Sequence, residues 1–196
     1  MMRIVAGQAR GRRLFSPPNN TRPTSDRVRE ALFNSLNTLL NWPETTVLDL
    51  YAGSGAVGLE AASRGARHIT LVEKLPAAVS CVRKNKQLLG EIAAHVEIHK
   101  GSAQRFLEQP AQHPGAPYDF VFMDPPYDQV ATEIPQILTT LIEKEWVGEG
   151  SVVVLERSSR DPAIVWPAEY EEYRSKNYGE TAIDIAIVSP LGRMAA

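Results

Sequence analysis

Cysteine is nearly missing from this chain. Cys81 is the single one among 196 residues, which excludes an intramolecular disulfide and a cysteine-based zinc site. Its place in the helical stretch 77–89 suits a core side chain better than a nucleophile. The four histidines, His68, His95, His99 and His113, do not fall at H-E-x-x-H or any comparable ligand spacing, so no metal is expected. No run approaches the roughly 18 apolar residues of a membrane span, and no charged-then-apolar leader precedes the first strand. The expectation is therefore a cytoplasmic protein with no membrane partner. Internal repeats are absent as well. With 43% hydrophobic and 22% charged residues, the chain can bury one substantial α/β core, and it is too short for two domains of ordinary size.

Net charge is only −2, which by itself argues against a nucleic-acid partner. Its distribution argues the other way. Residues 1–30 carry Arg3, Arg10, Arg12, Arg13, Arg22, Arg27 and Arg29 against Asp26 and Glu30, a local excess of +5 that leaves −7 on the remainder. A basic arm on an acidic body is the footprint of phosphate contact, and the planar fork of arginine pairs with phosphate at two points. The organisation expected is a basic hairpin arm over 1–20 followed by a single α/β domain over 21–196. Arg3, Arg10, Arg12, Arg13 and Arg22 are the candidate nucleic-acid contacts.

Residues 2–6 and 12–15 read as short strands around a turn at 7–11. Over 25–40, Val28, Ala31, Leu32, Leu36 and Leu39 or Leu40 recur at helical spacing, with Thr24 or Ser25 as N-cap and Asp26 in the first turn. From residue 47 onward strands and helices alternate, with strands at 47–50, 68–73, 96–99, 120–123 and 151–156. The helices fall at 57–64, 76–89, 103–108 and 134–146. Repeated β-α units require a parallel sheet with helices on both faces. The end breaks that rhythm: 169–178 and 181–188 meet at Gly179-Glu180 without a crossover helix, hence as an antiparallel pair. The expected architecture is a seven-stranded, mostly parallel α/β sheet with a C-terminal antiparallel hairpin.

Two strand ends carry chemistry. Phe120-Val121-Phe122-Met123 runs into Asp124-Pro125-Pro126-Tyr127. The prolines cannot donate ladder hydrogen bonds and hold their predecessors extended, so a carboxylate, a proline carbonyl and an aromatic ring leave the sheet at its ligand-binding rim. Further back, Asp49 ends a strand before Gly53-Ser54-Gly55-Ala56-Val57-Gly58, a G-x-G-x-x-G turn that opens a helix. Glu73 lies twenty residues beyond Gly53, at the end of the next strand. Taken literally this is a dinucleotide fingerprint. Two features shift it towards S-adenosylmethionine: an anion at Asp49 repels pyrophosphate but attracts an ammonium group, and the sheet ends in an antiparallel hairpin.

On these residues the chain resembles a known family. The segment from Asp49 through Ala61, together with Asp-Pro-Pro-Tyr at the fourth strand, resembles the class I methyltransferases that act on exocyclic amines. R-I-V-A-G-x-x-R-G-R from Arg3, T-R-P-T-S-D-R-V-R-E-A-L-F-N from Thr21 and Y-G-E-T-A from Tyr178 resemble the RsmD family, whose members methylate the 2-amino group of a guanine in bacterial small-subunit ribosomal RNA. The likeness covers nearly the whole chain. It implies a Rossmann-like methyltransferase domain over 21–196 with S-adenosylmethionine as cofactor and S-adenosylhomocysteine as product. The implied partner is 16S ribosomal RNA within an assembling small subunit, met by a monomer through its arginine arm.

Carried over by position, the resemblance implies that Asp49, Gly53 and Gly55, with Tyr51 and Ser54, shape the pocket for the methionine part of the cofactor. Glu73 takes both ribose hydroxyls, beside Lys74. Ser102 stands where many methyltransferases place an acid near the adenine amino group, so that contact falls to Ser102 and the Ala103 backbone. The turn at 24–29 covers the cofactor, with Thr24 and with Arg27 or Arg29 near its carboxylate; a surface ion pair with Glu30 or Asp26 is the alternative for either arginine. Asp124 and the Pro125 carbonyl accept the two hydrogens of the target amine, Pro126 stiffens the turn, and Tyr127 stacks on the base. Two rival activities remain open. A DNA adenine 6-amino methyltransferase shares Asp-Pro-Pro-Tyr but usually carries a separate recognition region. A nicotinamide-dependent oxidoreductase explains the glycine turn alone. A non-enzymatic RNA-binding module has no need of a cofactor pocket.

Overall fold

The structure, a computed structural model, describes residues 2–17, 25–126 and 130–190. Its elements run α1 (Asp26–Leu36), β1 (Thr46–Asp49), α2 (Ala56–Ser63), β2 (His68–Glu73), α3 (Pro76–Leu89) and β3 (Val96–Lys100). They continue through α4 (Ala103–Leu107), β4 (Phe120–Met123), α5 (Val130–Glu143), β5 (Val152–Ser158), β6 (Tyr170–Tyr178) and β7 (Thr181–Val188). The strands form one seven-stranded sheet in the order β3-β2-β1-β4-β5-β7-β6. The first five are parallel, and β7 inserts antiparallel between β5 and β6. Strand order reverses between β1 and β4, the point at which an open parallel sheet forms its ligand crevice.

Every residue of β1 and β4 is buried, because apolar side chains alternate into a layer on each side of the sheet. Val47, Phe120, Phe122, Val154 and Ile185 pack with residues of α1, α2 and α3. Leu48, Val121, Met123, Val153 and Leu155 pack with α4 and α5. Ser25 caps α1 by accepting the Val28 N–H at 3.2 Å. That helix stops at Leu36, short of the expected 40, because Leu39 and Leu40 both turn back to the Leu36 carbonyl. At α5 the helix starts at Val130 rather than 134. Pro135 lies inside it with its ring exposed, and Val130 extends the buried series Ile134, Ile137, Leu138 and Leu141 by one turn.

The expected N-terminal strands shrink to a single bridge, Arg3 with Arg13. The backbone hydrogen bonds that a longer hairpin would use go to helices instead. Val5 and Ala6 N–H donate to the Glu60 carboxylate at 2.7 and 3.0 Å. Gln8 N–H donates to the Ser63 carbonyl at 2.7 Å and Ala9 N–H to the Ser63 hydroxyl at 2.9 Å. Gly7 makes this approach possible: its φ is +80°, and a Cβ there would lie 2.0 Å from the Ser63 carbonyl oxygen. On the other limb, Asn85 of α3 accepts the Phe15 N–H at 2.8 Å and donates to the Phe15 and Ser54 carbonyls at 3.0 and 2.8 Å. Met2, Ile4, Ala9 and Leu14 are thereby buried, while Arg3, Arg10, Arg12 and Arg13 face outward.

Glu60 is the pivot of this docking. Fully buried, it also meets Arg64 at 2.9 Å and lies 4.0 Å from Arg29. Arg29 is itself fully buried and donates to Asp26 at 2.9 Å and to the Arg3 carbonyl.

Candidate active site

The glycine turn is assembled from strand-end hydrogen bonds. Leu50 N–H continues the β1 ladder to the Phe122 carbonyl and Ala52 N–H reaches the Val72 carbonyl, both at 3.0 Å. Gly53 N–H then donates to Glu73 Oε2 at 2.8 Å, which joins the turn to the end of β2. Gly53 and Gly55 have φ of +56° and +77°, the left-handed region that glycine enters without steric cost. Glu73 Oε1 accepts the Leu75 N–H at 2.7 Å, and Gly101 N–H donates to the Glu73 carbonyl at 3.0 Å. The start of α4 is thus brought alongside. There Ser102 is an N-cap whose hydroxyl accepts the Arg105 N–H at 3.3 Å, and Ala103 is buried.

Strand register places four acids on one face. Asp49 is level with Leu71 and with Phe122, and Phe122 with Val154. Side chains two residues on share that face, so Glu73, Asp49, Asp124 and Glu156 form an arc along the carboxyl ends of β2, β1, β4 and β5. Burial pushes the Asp49 carboxyl up to about 7 against the pull of the Tyr51 N–H; Glu73 adds to the rise and the Gly58 N–H opposes it. Among the described residues, one Asp49 oxygen, Oδ1, is buried without a hydrogen-bond partner. Asp124, half-buried, is held well above the usual carboxylate range by burial, then by Glu156, then by Asp49. Pro125 is buried and Pro126 exposed.

The other candidates distribute unevenly. Tyr51 donates its hydroxyl to Glu133 Oε2 at 3.1 Å, and burial together with Glu133 raises its pKa, so it remains a protonated donor. Glu133 ties α5 to the glycine turn across 82 residues of sequence, a separation at which no motif signals it. Glu156 was equally invisible, as an acid within an apolar strand. Ser54 turns its hydroxyl to Met2 Sδ at 3.4 Å, towards the N-terminal segment. Lys74 and Arg27 are exposed. Arg29 is committed to Asp26 and Glu60, the ion-pair alternative in buried form. Arg22, Thr24 and Tyr127 lie outside the described residues.

The buried, unpartnered Asp49 oxygen at the mouth of a left-handed glycine turn fits an ammonium-bearing ligand, because an unpaired buried acceptor is costly until a donor reaches it. Beside it, Glu73 fits a diol. A parallel sheet reversing at β1/β4, with β7 inserted antiparallel beside β5 and acids at the strand ends, defines a Rossmann-like methyltransferase, an enzyme of the class I fold. Within that class the chain belongs to the RsmD family: the family model described as "Conserved hypothetical protein 95" matches residues 2–187. The chain is 35% identical over 181 residues to a Haemophilus influenzae protein named "Ribosomal RNA small subunit methyltransferase D", covering 91% of this chain and 89% of that one. The Escherichia coli protein of the same name is 35% identical over 182 residues, covering 92% and 87%. Among solved structures, a putative methyltransferase, YhhF, from Escherichia coli superposes with a TM-score of 0.82 at 33% identity, covering 96% of this chain and 98% of that one.

Proposed function

We propose that this protein transfers a methyl group from S-adenosylmethionine to the exocyclic 2-amino group of a guanine in small-subunit ribosomal RNA. The observation that carries the reading is the pairing of Asp124-Pro125 with Asp49 across the β1/β4 switch point, within one arc of acids. Family membership and the names of the relatives support it.

When bound, the cofactor supplies an electrophilic methyl on a sulfonium. Asp49 holds its ammonium through the oxygen that lacks a protein partner. Glu73, its carboxylate fixed by the Gly53 and Leu75 N–H groups, accepts from the two ribose hydroxyls. Ser102 and the Ala103 backbone face the adenine. Tyr51 is fixed by Glu133 at the methionine end, and Thr24 and Arg27 belong to the segment that covers it. Gly53 and Gly55 shape the turn, with Ser54 and Lys74 flanking the pocket.

The amino group of guanine is a poor nucleophile, because its lone pair is delocalised into the ring. Asp124 and the Pro125 carbonyl each accept one of its hydrogens, which favours a tetrahedral nitrogen and aims the lone pair at the methyl. Positioning and preorganised charge are most of the catalysis. The methylated nitrogen carries one proton too many, and Asp124, whose environment favours protonation, takes it. Pro126 stiffens the turn, and Tyr127 stacks on a base rotated out of its helix. Arg3, Arg10, Arg12 and Arg13, with Arg22, contact phosphates. A monomer working in the cytoplasm on an assembling small subunit is the context this reading implies.

Incubation with methyl-labelled cofactor and either small-subunit ribosomal RNA or DNA tests it. Label on a guanine 2-amino group of the RNA is the expected result. Label on DNA adenine would replace this reading, and a thermal shift with NADH but not S-adenosylhomocysteine would dismiss methyl transfer.

A further inference from the structure

At the β2–β3 edge of the sheet, on the face that packs against α4 and α5 rather than the face that carries the arc of acids, three imidazoles converge on one carboxylate. His68 opens β2, Glu97 and His99 lie on the edge strand β3, and His113 comes from the segment between α4 and β4. Glu97 Oε2 is 3.9 Å from His68 Nε2, 3.9 Å from His113 Nδ1 and 3.6 Å from His99 Nε2. We propose that His68, Glu97 and His113 form a binding site for a divalent transition-metal ion of the zinc class, made of residues outside the methyl-transfer site.

The ligand atoms of these three residues all lie within 4.8 Å of one another. Around a tetrahedral ion with bonds of about 2.0–2.2 Å, neighbouring ligand atoms are roughly 3.4 Å apart, so closure requires a contraction of about half an ångström on each 3.9 Å contact to Glu97 and of up to about 1.4 Å between the two imidazoles, which lie within 4.8 Å. The Glu97 side chain, 44% exposed, has room to move; His113 packs against His99 and Phe106, so its approach requires a shift of its connecting segment, which has no helix or strand of its own. Neither inward nitrogen has a strong competing bond. His68 Nε2 is 3.4 Å from the Thr70 hydroxyl and His113 Nδ1 is 3.5 Å from the Tyr118 hydroxyl, both beyond the usual range. Tyr118 is already committed as a donor to Thr70 at 2.7 Å.

Two imidazoles and one carboxylate form the donor set of open zinc sites, with water completing the tetrahedron; magnesium and calcium prefer oxygen alone. His99 has the role of an outer partner. It packs edge-on against His113 and Phe106, with centroids at 4.7 and 5.1 Å, and its Nε2 faces the Glu97 oxygen, which orients that carboxylate. Bound metal would pin the segment between α4 and β4 to β2 and β3, and so brace the edge of the sheet.

The test is a titration of the untagged full chain with Zn²⁺ by calorimetry and with Co²⁺ by visible absorption. One equivalent should bind with micromolar affinity or tighter. Glu97→Gln and His113→Gln should each weaken it by about tenfold or more, and His95→Gln, at an exposed histidine outside the cluster, should leave it unchanged. Saturating zinc, at about a hundredfold excess over the dissociation constant, should raise the Tm of the wild type by roughly 5–10 °C and of Glu97→Gln far less. Unchanged S-adenosylhomocysteine affinity in the variants checks that they are folded. The proposal is overturned by the absence of saturable one-to-one binding, by binding that survives Glu97→Gln and His113→Gln, or by an equal loss in His95→Gln.

Discussion

Asp124 and Glu156 leave neighbouring parallel strands in step: β4 and β5 pair Met123 with Leu155, and the two acids follow directly. After burial, the Glu156 charge is the larger of the two neighbouring charges that hold the Asp124 carboxyl well above the usual carboxylate range. Asp124 must be ionised to accept from the amine, so methyl transfer should rise with pH through its raised pKa. Glu156→Gln removes a negative neighbour, which makes Asp124 easier to ionise. The acidic limb of the pH–kcat profile should therefore move to lower pH, measured with saturating RNA and cofactor. An unmoved limb would uncouple the two acids.

Asp49 titrates near 7, and only its ionised form attracts an ammonium group. Below pH 7 the affinity for S-adenosylhomocysteine should fall by up to about tenfold per pH unit. Above neutrality the affinity should level off, because Asp49 is then ionised while the ligand's α-amino group, that of a free amino acid beside its own carboxylate, keeps its proton. Calorimetry across pH 5–8.5 should show affinity rising through about 7 to a plateau, and in Asp49→Asn the acidic limb should vanish.

Glu60 accepts from two backbone N–H groups of the N-terminal segment and from Arg64, and its charge faces the buried Arg29 guanidinium at 4.0 Å. Its removal leaves a buried guanidinium short of a partner. Glu60→Ala should cost about 3–5 kcal/mol of stability, measured by urea denaturation, with RNA binding weakened because the arginines lose their footing. Glu60→Gln should recover part of the loss.

Arg10, Arg12 and Arg13 are exposed on that docked segment, with Arg12 also reaching the Leu88 carbonyl. Replacing all three with Ala should weaken RNA binding and flatten its salt dependence, by about one unit of log–log slope for each phosphate no longer neutralised. Filter binding over a range of salt concentrations reads this directly.

The alternation of apolar strands and amphipathic helices after residue 46 was plain in the chain, and β2, α3 and β7 begin and end where periodicity puts them. Gly53, Gly55, Asp49 and Asp124 announced a strand-end site because left-handed turns and proline-stiffened exits restrict residue choice. Three features were hidden. The start of α5 was masked by Pro135, a helix breaker that here lies with its ring exposed. The hairpin's second set of partners, Glu60, Ser63 and Asn85, is reached through its backbone N–H and C=O groups, which leave no trace in side-chain pattern. The convergence of His68, Glu97 and His113 depends on two strands and a connecting segment meeting in space, which ligand spacing along one element cannot reveal.

The most direct test of the central claim is a single-turnover methyl transfer assay on Asp124→Asn, paired with equilibrium binding of S-adenosylhomocysteine. Transfer should fall by about 10²–10⁴-fold while affinity for the cofactor product stays close to that of the wild type. Transfer near the wild-type rate, or a loss of transfer that merely follows a loss of cofactor binding, would contradict the assignment of Asp124 to the target amine.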